Sequence, residues 1–232
     1  QPRGAARQLC GSRTGRSVLA DLATARNVVF FHGSGPAPKC ATVETYRKLG
    51  QIPVNGPYAA SNPGAVAGFD LAWKKYGSLD YATLLKPAIE AASKGHPLTE
   101  WAALNYEEAF ALLSKYPSST RALLPGGKPP HSGDLFVQAD LGRSLDAIAR
   151  GGAGVFYRGP LARMTADTCR KAGGVLRDHD LAGFPAQQAS PNHTAHTGYS
   201  LHPSPPTSQQ LGTRMPLPPV LAVRLGPLPL DP

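Results

Sequence analysis

Residues 62–76 read NPGAVAGFDLAWKKY. Pro63-Gly64 interrupts any regular element. After it, Phe69, Ala72, Trp73 and Tyr76 fall at i, i+3, i+4 and i+7, one apolar face of a helix that Gly77 closes. Upstream, residues 27–32 (NVVFFH) are a short β-rich run stopped by Gly33-Ser34-Gly35-Pro36, which predicts a buried strand and a turn. Downstream, Asp80 caps a helix with Leu84, Leu85, Ala88, Ile89 and Ala92 on its apolar side and Gly95 past its end. Pro87 inside that stretch predicts a kink or two short helices. Thr99 caps a longer helix through Lys115, carrying Trp101, Leu104, Ala109, Leu112 and Leu113, and Pro117 ends it. Residues 140–150 repeat the form, with Leu141, Leu145 and Ile148 inward and Gly151-Gly152 at the end. Pro160 opens a last helix that Gly173-Gly174 terminates. The class is α+β and helix-rich.

The two ends have a different composition. Residues 1–26 are rich in Arg, Gly, Ala and Ser, and read as an irregular basic segment. Residues 209–232 are proline-rich, with six prolines among the last seventeen residues, and neither strand nor helix threads through them. The expected organisation is therefore 1–26 irregular, 27–208 folded, and 209–232 a disordered tail. With 232 residues the chain is long enough to bury a real core. Its net charge is +9, but Arg3, Arg7, Arg13, Arg16 and Arg26 supply much of the excess, and the central cations are spread singly. A nucleic-acid footprint needs cations clustered on one face, so no nucleic-acid partner is expected. No window approaches the ~18 apolar residues of a spanning helix, and the first thirty residues lack the apolar core of a secretory signal.

Isolated motifs carry little chemistry. Gly33-Ser34-Gly35 lacks the spacing of a phosphate or dinucleotide loop and reads as a tight turn. His193, His196 and His202 have an H-x-x-H look, but Pro191, Gly198 and Pro203 argue against a helix, so they read as exposed loop histidines and no metal is expected. Asp178 and Asp180 flank His179 in a run that helix capping explains. No G-x-S-x-G elbow exists. Cys10, Cys40 and Cys169 are odd in number and widely spaced, which fits neither a disulfide framework nor a thiolate zinc site.

Taken in order, the punctuated stretches resemble the large subunit of the γ-glutamyltranspeptidase family. They are FFHGSGPAPKCAT (30–42), NPGAVAGFDLAWKKY (62–76), LLKPAIEAASKGHP (84–97) and LPGGKPPHSGD (124–134). QADLGRSL (138–145), ARGGAGVFYRGPL (149–161), GGVLRDHDL (173–181) and GYSLHPSPPTS (198–208) continue the series. The resemblance implies an N-terminal-nucleophile hydrolase, an αββα sandwich made as one precursor that cuts itself ahead of a threonine. That threonine attacks a γ-glutamyl amide, with its own α-amine as base, and passes the acyl group to water or an amino acid. Glutathione and its conjugates are the usual substrates, and relatives act as acylases on other amides. No cofactor is implied.

Two departures shape what is expected. The family's catalytic subunit opens with a Thr-Thr-His type sequence, and this chain holds no Thr-Thr; Thr194-Ala195-His196 is only an echo, placed too early. The expectation is thus a fragment, an incomplete sandwich, with no catalytic residue of its own and inert alone. It would meet a small-molecule γ-glutamyl or acyl-amide substrate only when completed by a catalytic subunit. Second, the family's transpeptidases hold the substrate α-carboxylate with an arginine in a D-x-R-E-x-A-P stretch. Aligned on Ala37-Pro38, that arginine falls on Ser34 and the acid on His32. A serine supplies no bidentate cationic fork, which weakens glutamyl specificity and favours the acylase-like branch. The alternative is a non-catalytic basic binding or scaffold domain that retains the large-subunit fold. Family members are often periplasmic or extracellular, and the sequence leaves the compartment open.

Overall fold

A computed structural model describes residues 18–22, 27–184, 186–191, 193–196 and 199–202. In chain order the elements begin with strands β1 (Val18–Leu22) and β2 (Asn27–His32), then helices α1 (Val43–Leu49), α2 (Ala65–Tyr76) and α3 (Tyr81–Lys94). Strand β3 (His96–Pro97) precedes α4 (Glu100–Glu108), α5 (Phe110–Leu113), α6 (Pro117–Leu123) and a 3-10 turn at Pro125–Gly127. Next come β4 (Leu135–Phe136), α7 (Ala139–Gly151), α8 (Ala153–Tyr157), α9 (Pro160–Lys171) and α10 (Asp178–Ala182). Strands β5 (Gln187–Ala189), β6 (Thr194–His196) and β7 (Tyr199–Leu201) follow. The described residues fall into two compact units, one holding those up to Tyr76 together with those from Ala162 onward, the other Gly77–Leu161.

The first unit is organised by β2. An antiparallel sheet runs in the order β1-β2-β5, with Leu19 opposite Phe30 and Phe31 opposite Gln188. Val29, Phe30 and Phe31 are all buried, so both faces of this central strand are covered. Helix α2 packs on β2 and β5. Its buried positions are Ala67, Gly68 and Asp70, whereas Phe69 and Tyr76, expected on the inward face, are exposed. Small residues let the helix lie close to the strands, and Tyr76 still meets Phe31 edge-on at 5.9 Å. Strand β1 lies within the stretch read as irregular, residues 1–26. Its VLADL run is a strand because it pairs antiparallel with the next strand, β2, a pairing that composition does not carry. The remainder of that stretch and the tail, 209–232, lie outside the described residues.

The second unit is built on α3 against α7. Asp80 accepts from the Thr83 amide at 2.9 Å, as the capping reading requires, and its carboxyl is held below the usual range by the Thr83 hydroxyl and amide. Pro87 sits inside a single continuous α3, with Thr83 and Pro87 both on the exposed surface, where the Thr83 carbonyl left without its helical donor is open to solvent. Gly142 is buried against Ser93, where a Cβ would displace the Ser93 hydroxyl, so the two helices lie close together. Ile148 is buried as expected, but Leu141, Leu84, Trp101 and Leu104 are exposed. The long helix expected from Thr99 to Lys115 is interrupted at Ala109, a turn residue at φ −83°, ψ −4° that stays in the right-handed helical region. Pro117 opens α6, at a position where its missing N–H costs nothing. Tyr106 leans on buried Phe136 at 5.3 Å, and burial raises its phenol pKa. Among the described residues no helix is long and apolar enough to cross a membrane.

Candidate functional site

Two segments of the first unit cross where β2 ends. Gly33 is buried, and Ser34, half-buried, forms an isolated antiparallel bridge with Pro63. The Asn62 amide donates to the Pro36 carbonyl at 3.1 Å. A Cβ on Gly35 would collide with the Asn62 carbonyl, and one on Gly64 with the Gly33 carbonyl and the Phe184 ring. Neither glycine is needed for an unusual φ here; they are needed for space. Gly35 and Gly64 thus let the strand-end loop press onto the segment that leads into α2, and Ser34 is held there by its backbone bridge.

A second tie fixes the far end of the same loop. Asp180, in α10, has its carboxylate almost wholly buried. Oδ1 accepts from the Lys39 amide at 2.9 Å and Oδ2 from the Arg177 amide at 3.0 Å. The Arg177 guanidinium in turn donates to the Gly174 and Leu176 carbonyls at 2.7 and 3.0 Å. Helix capping explains the Asp180–Arg177 bond, as the sequence suggested. The bond to Lys39 spans 141 residues, and no local spacing announces it.

Unspent polarity gathers beside this crossing. The Ser61 hydroxyl and the Asn62 side-chain carbonyl are buried without a hydrogen-bond partner. In α2, one Asp70 carboxylate oxygen is likewise unpartnered while the other binds Lys74 at 2.7 Å. Each of these oxygens can accept a further hydrogen bond, and the Ser61 hydroxyl can also donate one. The position the resemblance assigns to a carboxylate-binding arginine is therefore a neutral serine whose backbone bridges Pro63, the residue after Asn62. It can donate and accept hydrogen bonds, but it offers no charge. His32 ends β2 opposite Gln187 of β5.

Of the three histidines of the H-x-x-H reading, His193 and His202 lie outside any regular element, as expected, whereas His196 lies in a strand. His196 ends β6 and pairs with Tyr199 of β7, while His193 and His202 flank the hairpin with ring centroids 5.9 Å apart. Among the described residues no group of three or more His, Cys, Asp or Glu converges as a metal cluster.

The sequence profile described as Gamma-glutamyltranspeptidase matches residues 8–216. The chain is 32% identical over 183 residues to the Glutathione hydrolase-like YwrD proenzyme of Bacillus subtilis, covering 78% of this chain and 35% of that protein. It is 33% identical over 198 residues to the Acylase ACY 1 proenzyme of a Pseudomonas species, covering 81% of this chain and 35% of that protein. Among solved structures, the γ-glutamyltranspeptidase of Helicobacter pylori superposes with a TM-score of 0.85 at 30% identity, over 94% of this chain and 64% of that one. The chain spans about a third of the length of these curated relatives.

Proposed function

The chain belongs to the gamma-glutamyltranspeptidase family, and from that membership we propose that it forms the large-subunit part of an amide hydrolase or acyltransferase of the N-terminal-nucleophile type. In this reading the β1-β2-β5 sheet is one layer of an αββα sandwich, and the threonine nucleophile is supplied by sequence outside these 232 residues. The threonine hydroxyl attacks the amide carbonyl, the ester acyl-enzyme forms, and the C–N bond breaks as the leaving amine takes the proton. Water or an amine then releases the acyl group. The chain's own share is to hold the acyl portion of the substrate at the end of β2.

The observation that carries the proposal is the placement of Ser34. It sits at a glycine-lined backbone crossing, tied by Asn62 at one side and through Lys39 to Asp180 at the other. That position is rigid and polar, as a binding position requires, but it is uncharged. The preferred acyl group is accordingly one without a free α-carboxylate, in line with a relative named as an acylase. The test is to continue this chain with the catalytic half of a family relative and compare Ser34 with Ser34→Arg. Arginine should lower KM for a γ-glutamyl anilide on the order of ten- to a hundredfold, the worth of a charge-assisted bond of about 1.5–3 kcal/mol. It should leave an acyl anilide lacking the α-carboxylate unchanged. Equal KM values for the γ-glutamyl substrate would mean that residue 34 does not face the carboxylate.

A further inference from the structure

We propose that His193 and His202 form a two-histidine site for a zinc-like divalent cation that clamps the β6–β7 hairpin. The strand register sets Thr194 opposite Leu201, Ala195 opposite Ser200 and His196 opposite Tyr199. One rung further out, the same register sets His193 opposite His202. Directly opposed residues of an antiparallel pair share a face, and these two rings lie 5.9 Å apart, centroid to centroid, with planes inclined by 31°. Imidazole nitrogen is a ligand suited to zinc, copper and nickel. A tetrahedral zinc ion holding one nitrogen of each ring at about 2.1 Å sets the centroids on the order of 5 Å apart, close to the separation seen here.

The register does what the sequence spacing does not. His193 and His196, three apart, suit a helix face, and there is no helix here. The hairpin instead brings together two histidines nine positions apart in number. His193 is exposed and His202 half-buried, so an ion and its completing waters have access. Because the ligands come from the two strands, the ion binds the paired hairpin in preference to the open chain and draws the equilibrium toward it.

Zinc titration of the full chain by calorimetry tests this, alongside H193Q, H202Q, H193C and H131Q. The chain has seven histidines, so the variants separate this pair from scattered weak binding. One zinc per chain is expected, weakened on the order of tenfold or more by H193Q and by H202Q, unchanged by H131Q, and retained by H193C, whose thiolate is also a zinc ligand. Equal affinity in all the proteins, or a loss in H131Q matching that in H193Q, would overturn the proposal.

Discussion

At Gly35 and Gly50 two glycines are needed for different reasons, and alanine at each separates them. Gly35 has no room: a Cβ would strike the backbone of Asn62, which no side-chain rotation relieves. Gly50 has open space but a φ of +73°, where it closes α1 by donating to the Arg47 carbonyl. Gly50→Ala should cost about 1 kcal/mol, the strain of a left-handed alanine. Gly35→Ala should cost about 2–3 kcal/mol and disturb the Ser34 bridge, because two segments must part. Denaturant melts of both variants check the order; equal losses would show that the crossing at Asn62 is not tight. The stop after β2 was legible from Gly-Ser-Gly-Pro, but the tight turn expected at 33–36 is instead backbone bridged at Ser34 to Pro63, and the turn comes later, at 39–40. The need for space was not legible, since it depends on a partner 27 positions later in numbering.

Asp180 shows the same gap at the level of elements. Its capping of α10 is written in the neighbouring residues, while its hold on Lys39 is visible only once α10 and the loop after β2 are packed together. Asp180→Ala would leave two backbone amides without acceptors and should cost about 2–3 kcal/mol, with faster hydrogen exchange at the Lys39 amide. Asp180→Asn keeps one acceptor oxygen and should lose less. Identical exchange at Lys39 in all three proteins would contradict the tie. Strand β2 and the caps Asp80 and Thr99 follow directly from residue type and position, and each is present with its bond formed. Helix faces were harder to read. Periodicity picks out large apolar residues, yet α2 buries Ala67 and Gly68 because close approach to β2 favours small ones. The break at Ala109 has no signature in an alanine at all, and β1 exists because β2 offers it an edge.

For the whole molecule, the ordered motifs carried more than any single one. None of them alone distinguishes a tight turn from a binding loop, whereas their sequence along the chain is matched by a family profile over residues 8–216. That match reaches back across Val18–Leu22, which composition assigned to an irregular segment. The division of labour proposed above is sharp: this chain supplies a binding loop at Ser34 and no nucleophile, having no Thr-Thr sequence. Incubating the purified 232-residue chain with a γ-glutamyl 4-nitroanilide tests that division most directly. Release of nitroaniline no faster than from boiled protein, with one band persisting on a denaturing gel, is the expected result. Turnover above that control, or the appearance of two discrete subunits, would place the nucleophile within the chain and contradict the proposal.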